Sequence, residues 1–408
     1  MSMREYDVIV VGTGPAGLFC AANLAPARVL VLEKMKLPGR KLLLAGSGQC
    51  NLTHAGDVKT FTGNYGDHGD FVKPSLMACS NRAVTEFFEQ RGVPVFTNEN
   101  GKVFPVSLRA DDVLDALLSA CDEAGVEINY SEGVKSISRD QDGYAAETSF
   151  GVYRAKYVVI ATGGMSYPGT GSTGDGYGFA ESLGHTIAPP EPSLTPVYAD
   201  DHPLRDLSGI SLPAKVSIWR DGKKLMTRAG DLLITRFGYS GPVILDASRW
   251  MRAGDLLRIG FTPLSPEETD ALLKERTAAS GGKQVQNLLS GLSCPDRLTR
   301  ALTELSGIPE GTTGGQLTAK MRAALVENLT GFPVSISRMG DFHAAMCTAG
   351  GVSLAEINKK TCESKLAPGV FFAGEVMDID GDTGGYNIQA AFSTGFVVAK
   401  TILRMLCA

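Results

Sequence analysis

Apolar residues near the start of the chain fall in two short runs, Tyr6–Val11 and Val29–Leu32, with a glycine-rich stretch between them. Runs of this length, rich in Val, Ile and Leu, predict strands buried on both faces of a parallel sheet. Ala83–Arg91 and Ala110–Ala124 carry a helical period. Asp111 and Asp112 open the second, where negative charge suits a helix N-terminus. Between them Val93–Val106 reads as a hairpin turning at Glu99-Asn100-Gly101. Four strand-like runs follow, Val126–Tyr130, Val134–Ser138, Tyr144–Ser149 and Val152–Ile160, the last ending in Ala161-Thr162-Gly163-Gly164. A strand that ends this way after a small meander is the expected return to a parallel sheet. Lys34 to about Lys73 follows neither period and reads as a long polar loop. Loops this long inside a compact domain are usually functional.

The pattern then shifts. Pro189–Pro196 is proline-rich and reads as a boundary. Pro196–Ile259 alternates like β structure, with a turn at Asp221-Gly222. From Pro266 to Asn328 the period is helical, over Glu267–Arg276, Gln284–Leu292, Asp296–Leu305 and Gly315–Asn328. Glycine-rich, strand-like sequence resumes at about Ser335. It closes with a strand over Gly369–Val376 and a long helix over Gly385–Leu406.

The turn behind the first run is Gly12-Thr-Gly-Pro-Ala-Gly17, and the second run ends at Glu33. Gly12 permits a tight turn out of the strand. Gly14 lets a backbone approach a pyrophosphate, and Gly17 lets the next helix lie close to the strand. Pro15 and Ala16 then open a helix whose unpaired N–H groups face the phosphates. Glu33 stands where an acid takes two ribose hydroxyls, and its charge disfavours a 2′-phosphate. The pattern predicts dinucleotide binding over a merely structural glycine turn. Lys34, Arg40 and Lys41 could neutralise phosphates or the ligand's ring system; the alternative is a solvated surface group.

The expected architecture is therefore α/β. A Rossmann-like domain is built from both chain ends, residues 1–190 and 335–408. Residues 191–334 form an insert, mostly β and barrel-like over 191–262 and helical over 263–334. A nicotinamide dinucleotide is usually held within one continuous domain, whereas FAD is often bound extended, its ring reached by distant segments. Here Pro368–Gly395 supplies such a segment. Its strand ends at Ala373-Gly374-Glu375, and its helix opens at Gly384-Gly385-Tyr386-Asn387. Bare helix-start amides there would stabilise the negative charge of a reduced flavin. FAD is thus the expected cofactor. Gly169–Gly174 also matches the glycine pattern, but no strand ending in an acid follows it, so a mobile loop near the flavin is the better reading.

The chain has 408 residues and a net charge of −5, which excludes a globally basic nucleic-acid binder. Residues 201–340 nevertheless carry 18 Lys/Arg against 14 Asp/Glu, so the insert could meet an anionic partner. Eight scattered cysteines form no C-x-x-C pair, so no metal site is expected and a reducing compartment is. The Gly-Thr-Gly-Pro break argues against a signal peptide or membrane span in Asp7–Ala25. A cytoplasmic protein with no membrane association and no obligate protein partner is expected.

The motifs GTGPAGLFCA, GRKLLLAGSGQCNLTH, ATGGMSYPGTGSTGDGYGFAESLGH and ITRFGYSGPVILDAS, with the block from TAGGVSLAEI through AGEVMDIDGDTGGYNIQAAFSTG, together resemble one family. These are the BaiN/RdsA-type flavoproteins, the aminoacetone-oxidase-like NAD(P)/FAD-dependent oxidoreductases. The resemblance spans residues 8–399. It implies FAD, a discontinuous domain and an inserted barrel-like plus helical region. It places Gly46, Ser47, Gly48, Asn51, Val134, Ala161, Thr162, Gly163, Gly374, Glu375, Asp378, Gly384, Gly385, Tyr386, Asn387 and Ile388 at the cofactor. Two positions depart from the family pattern: Gln49 stands where Arg is usual, and Arg236 where His is frequent.

Members of the family are associated with reduction of a steroid enone, oxidation of small amines, and reduction of a uridine of large-subunit ribosomal RNA to dihydrouridine. The first and last share one electronic pattern, a C=C bond conjugated to a carbonyl. Hydride from flavin N5 goes to the β-carbon and a proton to the α-carbon. NAD(P)H is the expected transient electron donor. Cys50 is the sharpest candidate acid, with His54 and His343 behind it, and Tyr386 is expected beside the ring. The competing expectations are a reductase or oxidase of a small enone or amine, and a non-enzymatic flavin-binding redox module.

Overall fold

The computed structural model describes residues 4–140, 142–292 and 294–408. The chain divides into two compact units, Met1–Ser193 with Phe342–Ala408, and Leu194–Asp341.

The first unit is a mixed α/β Rossmann-type fold on a seven-stranded sheet. Its strands run in the order Glu127–Asn129, Val29–Leu32, Arg4–Val11, Val152–Ile160, Gly143–Glu147, Ser136–Asp140, and Val370–Phe372 also pairs with Val152–Ile160. Arg4–Val11 lies parallel to both neighbours, with Val8 opposite Val29 and Val10 opposite Val159. Val152–Ile160 serves two partners on one side. Val152–Ala155 pairs antiparallel with the meander, and Val158–Ile160 pairs parallel with Val370–Phe372. The last strand of the chain thus joins a sheet begun by the first.

Side chains alternate between two cores. Val8, Val10, Val29, Val31 and Val159 face one, filled by helices Pro15–Ala22, Ala110–Glu123 and Tyr386–Leu406. Ile9, Val11, Leu30, Leu32, Val158 and Ile160 face the other. Both faces are covered, which is why Val29–Leu32 has no polar position.

The boundary expected in Pro189–Pro196 falls between Ser193 and Leu194, and the segment before it, Ile187–Ser193, is a strand paired antiparallel with Cys347–Val352. This sheet has only two strands and an irregularity between Ala188 and Glu191, so the prolines meet no second ladder that needs their missing N–H. The loop expected from Lys34 to Lys73 contains 3-10 turns and ends in a helix, Gly69–Ala78, which holds Pro74 inside it. The strand expected over Gly369–Val376 stops at Phe372, where the backbone swings into positive φ at Gly374. The helix expected over Gln284–Leu292 is only Val285–Leu288, with Gly291 at φ 81° just beyond.

The second unit carries an antiparallel seven-stranded sheet in the order Phe332–Ser335, Leu256–Gly260, Ser211–Arg220, Lys223–Ile234, Gly238–Ser240, Val197–Tyr198, Arg338–Met339. Its two edge strands are consecutive in sequence. Three residues of chain reach about 10 Å at most, so the edges must lie close and the sheet curls barrel-like on itself. Helices Pro266–Ser280, Asp296–Leu305 and Ala319–Thr330 pack on it. The first is started by Ser265 and Glu268 in a reciprocal capping box. Among the described residues no helix is long and apolar enough to cross a membrane.

Gly395 on the C-terminal helix faces the first helix so closely that a Cβ there would sit 2.5 Å from Ala16 O. Gly395→Ala is expected to destabilise the protein by about 1–3 kcal/mol through overpacking. Urea unfolding checks this, and an unchanged midpoint contradicts the close helix contact.

Candidate cofactor and active site

The first glycine turn is built for close approach. Gly12 has φ 107°, and a Cβ there would lie 2.6 Å from Ala161 O. A side chain at Gly17 would collide with Gly12 O. A Cβ at Gly14, by contrast, would meet nothing within 4 Å, so this glycine faces open space. Pro15 begins the helix, and no side chain caps its N-terminus. The result is a cradle with free helix-start amides, which fits a pyrophosphate.

Glu33 reaches back to this turn. Its Oε2 accepts hydrogen bonds from Thr13 N (2.9 Å) and Thr13 Oγ1 (2.5 Å), and its Oε1 accepts from Met35 N (2.8 Å). The carboxylate is thereby fixed beside the cradle. Lys34 Nζ pairs with Asp175 Oδ2 and Thr173 Oγ1, each at 2.5 Å. Asp175 opens the helix Asp175–Ser182 that follows the second glycine motif, so Lys34 ties that motif to the end of the second strand. Gly133, next to Val134, lies close enough that its Cβ would be 3.1 Å from Lys34 Cβ. Arg40 is exposed.

The C-terminal segment arrives at the same place. A Cβ on Gly374 would be 2.9 Å from Ala16 Cβ. Glu375 forms an ion pair with Lys41 (2.6 Å), and Ser166 Oγ is 2.5 Å from the Lys41 ammonium. Glu375 Oε1 also accepts from Thr348 N (2.8 Å), while Thr348 Oγ1 accepts from Met165 N (2.8 Å). Asp378 accepts from Gly350 N (3.0 Å) and lies beside His68. Four segments distant in sequence thus converge around one lysine.

The loop after Lys41 is strained. Gly46, Ser47, Gly48 and Cys50 all have positive φ, and two of these are not glycine. Such outliers cost on the order of 1–3 kcal/mol each and cluster at functional sites. Cys50 itself is fully buried in the helix-side core, and burial pushes its thiol up to about 12. Asn51 follows. With its amide oriented to satisfy both ends, Oδ1 accepts from Gly385 N (3.0 Å), and Nδ2 donates to Thr53 O (2.9 Å) and Val103 O (3.2 Å).

Gly384 and Gly385 have φ 114° and 96°, and no side chain caps the helix that starts at Tyr386. Tyr386 stacks on His54 with centroids 5.1 Å apart, and Phe61 and Tyr65 meet its edge. His54 Nδ1 lies 3.2 Å from Gly384 O. Asn387 does not point away from its own turn: its Oδ1 accepts from Gly381 N (2.7 Å) and its Nδ2 donates to Gly381 O (2.9 Å). Ile388 is half-buried against the helix-side core. His343 is exposed, next to Phe342, whose carbonyl accepts from Tyr167 N. Sequence reasoning missed Thr13, Ser166, Thr348 and Asp175. Only Thr13 carried a local signal, being inside the glycine motif.

A glycine cradle, an acid at the end of the second strand and a third segment from the far end of the chain together define an FAD-binding Rossmann-type flavoprotein. The chain belongs to the HI0933-like Rossmann family, whose domain matches residues 6–401. It is 30% identical to a ribosomal RNA dihydrouridine synthase of Escherichia coli over 98% of this chain and 99% of that one. It is 32% identical to the Haemophilus influenzae protein of the same name over 98% and 100%. A 3-dehydro-bile acid delta(4,6)-reductase of Clostridium scindens is 28% identical over 96% and 97%. Among solved structures, the 3-ketosteroid delta1-dehydrogenase of Sterolibacterium denitrificans superposes with a TM-score of 0.52 at 13% identity, over 99% of this chain and 100% of that one, which shows a shared fold. The protein is an FAD-dependent oxidoreductase.

Glu33→Ala is expected to weaken FAD binding by about 1.5–3 kcal/mol, the worth of a charge-assisted hydrogen bond. Titration of the apoprotein with FAD measures it. Unchanged affinity would mean that the carboxylate serves only Thr13 and Met35.

Proposed function

We propose that this protein reduces a uridine of large-subunit ribosomal RNA to dihydrouridine, with NAD(P)H as electron donor. The observation that carries the reading is full-length similarity to proteins named as a dihydrouridine synthase and a delta(4,6)-reductase. Both names describe addition of two hydrogens across a C=C bond. RNA is favoured because the two synthases are the more similar.

When bound, FAD supplies the hydride for the electron-poor carbon. Gly12, Gly14 and Gly17 would admit its pyrophosphate to the amides of the Pro15–Ala22 helix, and Glu33 would take a ribose hydroxyl. Lys41, held by Glu375 and Ser166, would meet the cofactor where the N-terminal and C-terminal segments of the first unit come together. The helix start at Gly385–Ile388 presents backbone amides to negative charge. Asn51 and Asn387 act indirectly, by fixing that turn.

The α-carbon needs a proton. A general acid works best with a pKa near the working pH. Cys50 is sealed in the core with its thiol at about 12, so it suits anchoring the strained loop better than donating. Imidazole is the side chain adapted to proton exchange near neutrality. His54, half-buried and stacked on Tyr386, takes the role in this proposal.

Deleting the gene should remove one dihydrouridine from large-subunit ribosomal RNA, read by mass spectrometry. An unchanged RNA contradicts the proposal. In stopped-flow, His54→Gln should leave flavin reduction by NAD(P)H intact and slow reoxidation by the RNA acceptor about 10²–10⁴-fold. Cys50→Ala should change that rate less than about tenfold. The reverse ranking returns the proton to Cys50.

A further inference from the structure

The inserted unit carries a turn whose construction exceeds what a connection needs. Thr235 N and Thr235 Oγ1 both donate to Gly238 O, each at 2.9 Å. His202, buried beneath, donates from Nε2 to Thr235 O (2.8 Å) and packs its ring on buried Tyr239. Ala199 N donates to Phe237 O (3.1 Å). The turn is therefore rigid, yet its tip holds a large aromatic in water: Phe237 is 61% exposed. The Arg236 guanidinium lies 5.6 Å from its ring centroid.

A second pair sits on the adjoining rung. Gly238 pairs with Tyr198, and Tyr198 pairs with Arg338. The Arg338 guanidinium covers the Tyr198 ring at 3.6 Å from its centroid. Two aromatic rings and two guanidinium planes thus stand together at one edge of the sheet. Flat groups of both kinds are the platforms on which unstacked nucleobases lie, while the guanidinium charges meet phosphates. Asp200 and Asp201 follow Tyr198 and are exposed, so a broad cationic field is not what this edge offers. Stacking with two arginines is.

We propose that Phe237, Arg236, Tyr198 and Arg338 form a stacking ledge that grips a single-stranded stretch of the RNA. The inference rests on the RNA reading above. It adds where on this chain the RNA is held, and by what force. Phe237 supplies a base platform, and the arginines add stacking and one phosphate contact each.

The test uses the holoenzyme and a short fluorescein-labelled oligouridylate, followed by anisotropy over a salt series. Phe237→Ala and Phe237→Leu should weaken binding about 5- to 150-fold, the value of one base stacked on an aromatic. They should leave the salt slope and the flavin spectrum unchanged, and Phe237→Trp should restore affinity. Arg236→Ala and Arg338→Ala should each flatten the slope by about 0.7, the share of one phosphate on a single strand. Leu225→Ala, also apolar and exposed but at the opposite end of the Lys223–Ile234 strand, should bind as wild type. Wild-type binding by Phe237→Ala, an equal loss in Leu225→Ala, or no binding by the unaltered enzyme would overturn the ledge. If dihydrouridine still disappears from the RNA of the deletion strain, only the ledge has failed. If it persists, the substrate reading has failed with it.

Discussion

The two ends of the chain meet at Ala16, and the rest of the cofactor end depends on how closely they do so. Gly374 approaches its side chain and Gly395 approaches its carbonyl, each nearer than any larger residue allows. This contact packs the last helix on the first and brings the last strand to Val158–Ile160. It also sets the Gly384-Gly385 helix start and Glu375 in the same unit as the first glycine turn. A bulkier residue at either glycine would push the C-terminal segment off the sheet, and Glu375 and the Gly384-Gly385 helix start would go with it.

Polar links then fix positions that apolar packing leaves free. Lys41 and Glu375 lie 334 residues apart in sequence and 2.6 Å apart in space, with Ser166 completing the cluster. Both side chains are about one-fifth exposed, so desolvation cancels much of their attraction and the pair adds little stability. Its contribution is placement. Asn51 to Gly385 and Thr53 to Gln389 work in the same way, joining the strained loop to the last helix. The site is consequently assembled by tertiary contact, although each of its motifs is local.

That division explains what the sequence revealed. The strand, turn, helix and acid from Tyr6 to Glu33 are legible because each requirement acts within a few residues: tight φ, close packing, a charge at a strand end. The return of the last strand to the first sheet was legible from the glycine-rich, strand-like segment near the C-terminus. Partnerships were not. Nothing local to Lys41 points to Glu375, and nothing local to Lys34 points to Asp175. The strand Ile187–Ser193 and the helix Gly69–Ala78 were not legible, since both carry proline, which a two-stranded sheet and a short helix tolerate. Cys50 drew notice through its polar neighbours, while its own side chain turns into the core because the backbone there is left-handed.

The central claim is that three distant segments close on one FAD molecule. Hydrogen exchange of the apoprotein and the FAD-loaded protein tests it most directly. Slower exchange on FAD binding is expected in all three places, Gly12–Gly17 with Glu33, Lys41–Asn51, and Gly374–Ile388. Protection confined to the first segment, with the C-terminal helix start unaffected, would contradict it.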